Sequence, residues 1–498
     1  MHLISLFTCL LLLITSSIKA QKATNLPRLV ILADMGNEPD EEQQMMHLLM
    51  YANTVDLEAL IAVTGKFLRP ESNIPYRRKL HPELFHRLID GYAAVLPSLK
   101  RHAMNWPTAD YLHSIVCNGQ AGYGIAATGP DQASPGSERL IEILTRPDPR
   151  PVYVVVNAGS NTLAQALTDY RRAHGAAATD TLISKLRIYE NGAQDDAGAW
   201  LCHEFPDLHW VRSNYQTYCY GGPSFDGAFA NQGKLTNLGP HTWQPYAYSA
   251  LGQHQWSLEH VMGGHGKLGM LYPLRRNRGG RLLFLEGGGT IPWLQLVYPG
   301  LADINHPHWG GWSGRYTKSK QLNVWSKHES VKAGEQTSAP FWLYTEAEDR
   351  WIDPTTEQMY QSNFSPVWRW RQAYFDDFRA RMDWCVSKYN EANHHPRAVL
   401  DGDGTDAIVF RKSAPGERIT FSAIGSTDPD GDELSFHWYW YPEAGTFPGA
   451  ADFPEGKQQD FSFQAPTEAT ELHLILEVRD KSEIVPLRDY RRIVIRVE

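Results

Sequence analysis

Cysteine is scarce. Five in 498 residues cannot build the disulfide framework that lets a chain do without a large hydrophobic core. Cys9 lies in an apolar N-terminal run, which leaves Cys117, Cys202, Cys219 and Cys385. One bridge between Cys202 and Cys219 and a set of buried free thiols are both compatible with that count. A surplus of positive charge is missing as well. The 47 Lys and Arg stand against 56 Asp and Glu, for a net charge of −9. The basic residues gather into no stripe, which disfavours a nucleic-acid partner. No internal repeat or low-complexity tract is found. After residue 20 no apolar run approaches the roughly 20 residues that a membrane-spanning helix needs.

What is present begins with MHLISLFTCLLLLITSSIKA, residues 1–20. Its apolar stretch, 3 to 15, is too short to span a bilayer. Ser16, Ser17 and Ala20 supply the small residues of a cut after Ala20, so the segment reads as a secretory signal peptide. The chain is expected to be periplasmic or secreted, with no integral membrane segment after cleavage. A hydrophobic fraction of 42% supports a real core, and the length allows two or three domains. Tryptophan is abundant, with 16 residues, many beside Gly, Pro and His. Such residues serve as core or as flat platforms for sugar rings.

Residues 21–393 form the first domain of the mature chain. RLVILAD, LEALIAVTG, PVYVVVNAG and KLRIYENG read as strands, separated by amphipathic helices. One of these, GSERLIEILTRP, is opened by Ser137 as its cap. Unbroken Val, Ile and Leu runs alternating with helices predict an open, mostly parallel sheet with helices on both faces. Residues 212–340 show little periodicity, and loops of that length are usually functional. Residues 367–393 read as one long closing helix. From 394 to 498 the pattern changes to period two with turn clusters, which predicts an all-β, antiparallel, immunoglobulin- or PKD-like sandwich. Within it, DPDGDE lacks the distal bidentate Glu of a calcium loop and reads as a β-turn. The strand that follows places His437, Tyr439 and Tyr441 opposite Phe436, Trp438 and Trp440. One set is core; the other is an exposed aromatic face for polysaccharide or for the neighbouring domain.

The chemistry concentrates in VILADMGNEPDEEQQMMHLL, residues 30–49. Asp34 closes an apolar strand, Gly36 lets the chain turn, and Glu38, Asp40, Glu41 and Glu42 precede or open a helix. Helix-dipole complementarity accounts for Asp40, Glu41 and Glu42. It does not account for Asp34, a carboxylate facing other carboxylates, which calls for a proton or a hard cation such as Ca²⁺ between them. This turn resembles the strand and D-x-D-x-G…D-D turn with which nucleoside hydrolases hold calcium. VVVNAGSNTLAQAL resembles that family's second strand and its G-P-L-T-N-L-A motif. The resemblance implies Asp34, Glu41 and Asn161, the last through its backbone carbonyl, as calcium ligands. GAQDDAGAW (192–200), HPHWGGWSGRY (306–316) and RARMDWCV (379–386) are similar to a secreted branch with a C-terminal sandwich, described as cellulose-binding. The fold implied is a nucleoside hydrolase-like α/β domain followed by the sandwich.

Departures from the family pattern are visible. Leu32 stands where the motif's first Asp is expected. Gly287 to Gly289 stand where the family places a late Asp, with Glu286 the nearest carboxylate. Lys66 replaces a ribose-binding Asn, and its charge could take the place of the cation. The reaction implied by the superfamily is hydrolysis of a glycosidic or N-ribosyl bond through an oxocarbenium-like transition state, with Asp34 or Asp40 as base. Asp195, Asp196, Glu190, His306 and His308 are candidates for the general acid. Lys66, Glu286 and His306 are candidate substrate contacts, Trp293, Trp309 and Trp312 a candidate sugar platform, and Arg315 a partner for a carboxylate or an acidic sugar. Two functions follow. One is an exported glycosyl hydrolase acting on oligosaccharides; the other is a non-catalytic polysaccharide-binding protein that kept the fold. A periplasmic nucleoside hydrolase is a third reading, weakened by Lys66 and the glycine run. The oligomeric state is not legible.

Overall fold

The computed structural model describes residues 26–192, 194–213, 253–276, 283–284, 287–321, 341–354, 357 and 359–498. Residues 1–20, Cys219 and Glu286 lie outside these residues. β1 (Arg28–Ala33) is buried along its whole length, which requires cover on both faces. It pairs in parallel with β2 (Asp56–Ala62) on one side and β4 (Val152–Val156) on the other. β3 (Val116–Asn118), β5 (Leu186–Asn191), β6 (Trp210–Ser213), β9 (Tyr316–Gln321) and β10 (Phe341–Glu346) complete an eight-stranded sheet. Its order is β3-β2-β1-β4-β5-β6-β10-β9, and β9 alone runs antiparallel. Two short hairpins, β7 (Arg275–Arg276) with β8 (Leu283–Phe284) and β11 (Asp349–Ile352) with β12 (Met359–Ser362), stand apart from it.

The alternation of β1 sorts its side chains into two cores. Leu29, Ile31 and Ala33 pack with α1 (Pro39–Leu49), α2 (Pro82–His102) and α3 (Ala109–Ser114). Val30 and Leu32 pack with α4 (Pro135–Thr145), α5 (Ser160–His174), α6 (Ala176–Ser184) and α7 (Ala197–Glu204). The cap of α4 is Ser134, not Ser137. Ser137 is its third helical residue, and the two serines bond reciprocally in a capping box. The expected helix at 367–393 is shorter, Arg371–Asp383, preceded by a single turn at Ser365–Trp368. It ends because the chain folds back. The Trp384 indole donates to the Asn393 carbonyl at 2.8 Å, and Tyr389 stacks on His394. Among the described residues no helix is long and apolar enough to cross a membrane.

The C-terminal strands β13 (Val409–Ser413), β14 (Arg418–Ser422), β15 (Leu434–Trp440), β16 (Asp460–Gln464), β17 (Thr470–Asp480) and β18 (Arg488–Val497) form two sheets, β13-β18-β17-β15 and β14-β16. They are not wholly antiparallel, since β13 runs parallel to β18. Trp438 and Trp440 fill the space between the sheets with Phe421, Phe461 and Phe463. The opposite face of β15, with Tyr441 buried and Tyr439 beside it, packs on the α/β domain, and Ile475 and Tyr490 join the same core as β1. Tyr441 of this face is therefore a domain contact, while His437 and Tyr439 line a cleft beside it. Arg492 crosses the same boundary, donating to the carbonyls of Leu301 at 2.6 Å and Gly310 at 3.0 Å.

Candidate functional site

Strand order places the chemistry. β1, β2 and β3 progress in one direction across the sheet and β4, β5 and β6 in the other, so the switch point lies between β1 and β4. Open α/β sheets bind ligands there, beyond the carboxyl ends of the strands. Asp34 follows β1 and Asn157 follows β4, and the Asn157 amide donates to the Leu32 carbonyl at 3.0 Å. Gly65, after β2, lies against Asp34. A Cβ there would collide with the Asp34 carboxylate and stand 2.9 Å from Gln194 Oε1. The turn that brings Asp40 and Glu41 back needs Gly36, whose φ is +91° and whose Cβ would crowd His81 and Tyr76.

Asp34 and Glu41 are buried, and Asp40 is half-buried. Burial, then the charge of Asp40, pushes the Asp34 carboxyl up to about 7, partly offset by a hydrogen bond with Glu41. Burial, then Asp40 and Asp34, pushes Glu41 well above the usual carboxylate range. A single proton between Asp34 and Glu41 satisfies that contact. Among the described residues no side-chain hydroxyl, amide or cationic donor reaches either oxygen of Asp34, nor Asp40 Oδ1 or Glu41 Oε2. Around them stand neutral side-chain amides that are just as buried: among the described residues both side-chain polar atoms of Gln44 and of Asn157, and Asn161 Oδ1, have no partner.

Two other buried acids, Glu58 and Asp377, are paired. Glu58 takes two bonds from Arg28, at 2.7 and 2.9 Å. Asp377 is held by Arg381, His395, Tyr51 and Tyr298. Buried polar groups are ordinarily satisfied, so the open acceptors make Asp34 the centre of the candidate site. An all-oxygen donor set suits a hard cation. Among the described residues no three His, Cys, Asp or Glu side chains close around one point. A cation here would rest on Asp34, Glu41 or Asp40 together with the amide oxygens of Asn157, Asn161 and Gln44. Asn161 is the second residue of α5. The acceptor it leaves open is its side-chain oxygen rather than the backbone carbonyl that the resemblance implied.

The late-Asp position is also accounted for. Gly287 donates to Gln43 Oε1 at 2.8 Å, and a Cβ on Gly289 would lie 2.6 Å from Asn157 Nδ2. The glycine run thus seats directly on Asn157 and Gln44. Lys66 is half-buried beside Phe67, and no ion pair joins it to Asp34, Asp40 or Glu41 among the described residues.

The remaining candidates divide. Asp195 is buried next to the site and accepts from Ser160 Oγ, the Asn161 amide and the Ala197 amide. It caps α5 from the neighbouring loop and positions Asn161; burial pushes its carboxyl up to about 7. Asp196 accepts the Ile125 amide at 2.8 Å. Glu190 is committed to Arg212 and the Trp210 indole. Trp293, Trp309 and Trp312 are buried and form no sugar platform. Trp293 packs against His47 and Tyr51, and Trp312 against Tyr298. Trp309 stacks on His306 at 4.0 Å and touches His473 of the sandwich. His306 bonds Asp303, and His308 sits half-buried in the same turn. Arg315 pairs with Asp349 at 2.6 Å, which makes it structural. The Gly-rich loop at 306–316 therefore belongs to the domain interface. Gln44 went unmarked in the sequence because a glutamine inside an apolar helix carries no charge signal. Cys202 is a buried free thiol.

A family model described as cellulose-binding Sde182, nucleoside hydrolase-like domain, matches residues 28–316. A second, described as cellulose-binding protein Sde0182, C-terminal domain, matches residues 418–497. Among solved structures, the chain is similar to a nucleoside hydrolase-related hypothetical protein from Saccharophagus degradans that is associated with carbohydrate metabolism. The identity is 30% over 95% of this chain and 100% of that one, with a TM-score of 0.76. The effector protein XOO4466 is matched at 12% identity over 65% of this chain and 88% of that one, with a TM-score of 0.29, which carries no argument. No curated protein matches.

Proposed function

The chain belongs to the cellulose-binding Sde182 family with a nucleoside hydrolase-like domain, and on that premise we propose that it is an exported carbohydrate-active protein that hydrolyses a glycosidic or N-ribosyl bond at the buried carboxylate turn after β1. The observation that carries this reading is the set of open acceptors on Asp34, which neither stability nor helix capping requires. A carboxyl held near pH 7 is well matched to taking a proton from water at neutral pH, and Asp34 is given that role. Glu41 holds the neighbouring proton, and Asp195 fixes α5 so that Asn161 faces the pocket. Gln44 and Asn157 offer hydrogen bonds to sugar hydroxyls. A calcium ion held by these oxygens would supply orientation of water and sugar hydroxyls. Each candidate for protonating the leaving group is engaged elsewhere, and none is assigned. Export rests on residues 1–20.

The test is turnover of a panel of nucleosides and oligosaccharides by the mature protein and by Asp34→Asn. A loss of at least about 10²-fold in the variant is expected for removal of a general base. Equal, measurable rates in the two proteins would remove Asp34 as the base, and no turnover by either would sink the hydrolase. The second reading, a polysaccharide-binding protein without catalysis, is favoured by the glycine run where a third carboxylate would stand. It predicts no turnover by either protein and equal retention of both on cellulose.

A further inference from the structure

A cleft of about 840 Å³ opens far from the carboxylate turn in the chain, between the β11–β12 hairpin, the turn at Trp368–Ala373 and the sandwich strands β15, β17 and β18. Neither domain forms it alone. Its chemistry is mixed. Trp351 on the hairpin and Tyr439 on β15 line it as half-buried aromatic rings. Arg350 on one wall and Arg479 on the other have no carboxylate within ion-pair distance among the described residues, whereas Arg369 and Arg488 in the same cleft are paired with Asp349 and Asp376. Trp368 Nε1, Trp370 Nε1 and Gln372 Oε1 are buried without a hydrogen-bond partner. These three atoms are enclosed behind the lining, so the groups the cleft itself presents are the Trp351 and Tyr439 rings and the Arg350 and Arg479 guanidinium groups.

Five arginines face four carboxylates in the lining, so the cleft is close to electrically neutral. That argues against a polyanion, which would need a net positive wall. A pyranose has a flat apolar face and a rim of hydroxyls that both donate and accept. It needs an aromatic wall with guanidinium groups at the edge. We propose that this interdomain cleft is a binding site for a neutral oligosaccharide segment. The proposal rests on the polysaccharide-binding part of the reading above and is independent of whether Asp34 catalyses anything.

The experiment uses the full mature chain. Calorimetric titration with cellohexaose and retention on insoluble cellulose are measured for the unaltered protein, Trp351→Ala and Arg479→Ala, with polygalacturonate as the anionic control. Thermal melting checks that each variant is folded, and Trp351→Phe is substituted if Trp351→Ala is not. The expected result is a loss of at least about tenfold in affinity for Trp351→Ala, as for truncation of a central aromatic anchor. A smaller loss is expected for Arg479→Ala. Binding by the unaltered protein that both cleft variants retain in full would overturn the cleft and leave polysaccharide binding intact. Binding of polygalacturonate in preference to cellohexaose would overturn the neutral ligand. No binding of any glycan by the unaltered protein would remove the polysaccharide reading itself, and the cleft proposal with it.

Discussion

Asp34 is a carboxylate that the fold keeps at a cost. Burying an unpaired charge is unfavourable, so Asp34→Asn should melt no lower than the unaltered protein in metal-free buffer, and higher if the amide finds a partner. Scanning calorimetry on dialysed samples decides it; a lower melting point would mean that the carboxylate is structural. The pH dependence follows from the same residues. Asp34 and Asp195 are both raised from 3.8 to about 7, so folding favours their protonated forms. The stability they contribute is complete below about pH 4 and is lost as pH rises through 7. Metal-free protein should therefore melt progressively lower between pH 4 and pH 7, and saturating Ca²⁺ should flatten that slope. This turn was legible in the sequence because five acids sit within nine residues. Gln44 and Asn157 were not, since only the sheet brings them to Asp34. The tryptophans misled because exposure is a property of packing: a Trp beside glycines reads the same on a platform and in a core.

At the level of the single element, local signals served well and long-range ones poorly. β1, β2, β4 and β5 were readable from apolar runs, and α1, α2 and α5 from their amphipathic spacing. The α4 cap was misplaced by three residues because both serines of SPGSE are competent caps, and only the observed bonds identify Ser134 as the first. Ser134→Ala should lower stability by about 1 kcal/mol, read from the denaturation midpoint. Ser137→Ala should cost a comparable amount, since it removes the reciprocal half of the box. The parallel pairing of β13 with β18 was invisible because period two reveals faces, not partners. The closing helix was overextended because a tertiary bond, from Trp384 to Asn393, turns the chain while its local propensity still favours helix.

Across the whole molecule the two domains are joined by chemistry as well as by packing. Asp349 accepts from Arg315 at 2.6 Å, Arg369 at 3.1 Å and Tyr441 at 2.6 Å, tying the α/β domain, the hairpin and the sandwich at one buried carboxylate. Removing one partner of a buried ion pair costs roughly 3–5 kcal/mol. Asp349→Ala should lose about that much by urea denaturation, with both domains unfolding in one transition. Two separated transitions would show that the junction carries little energy. The comparison with sequence is instructive here. The boundary near 394 was visible as a change of periodicity, but the bond across it was not, because Asp349, Arg369 and Tyr441 look like ordinary surface residues of three separate segments.

The tyrosines and Arg492 on the face of β15, β17 and β18 have a consequence for how such a protein can evolve. A carbohydrate module on a flexible tether can be cut out and grafted onto other enzymes, since its surface is finished on every side. This sandwich is not finished on the side that meets the sheet domain. Lifted out, it would carry Tyr441, Ile475 and Tyr490 bare and leave Arg492 without the carbonyls of Leu301 and Gly310. Its lineage is therefore tied to that of its neighbour: residues 394–498 expressed alone should be markedly less soluble than the full chain, read from the soluble fraction after expression.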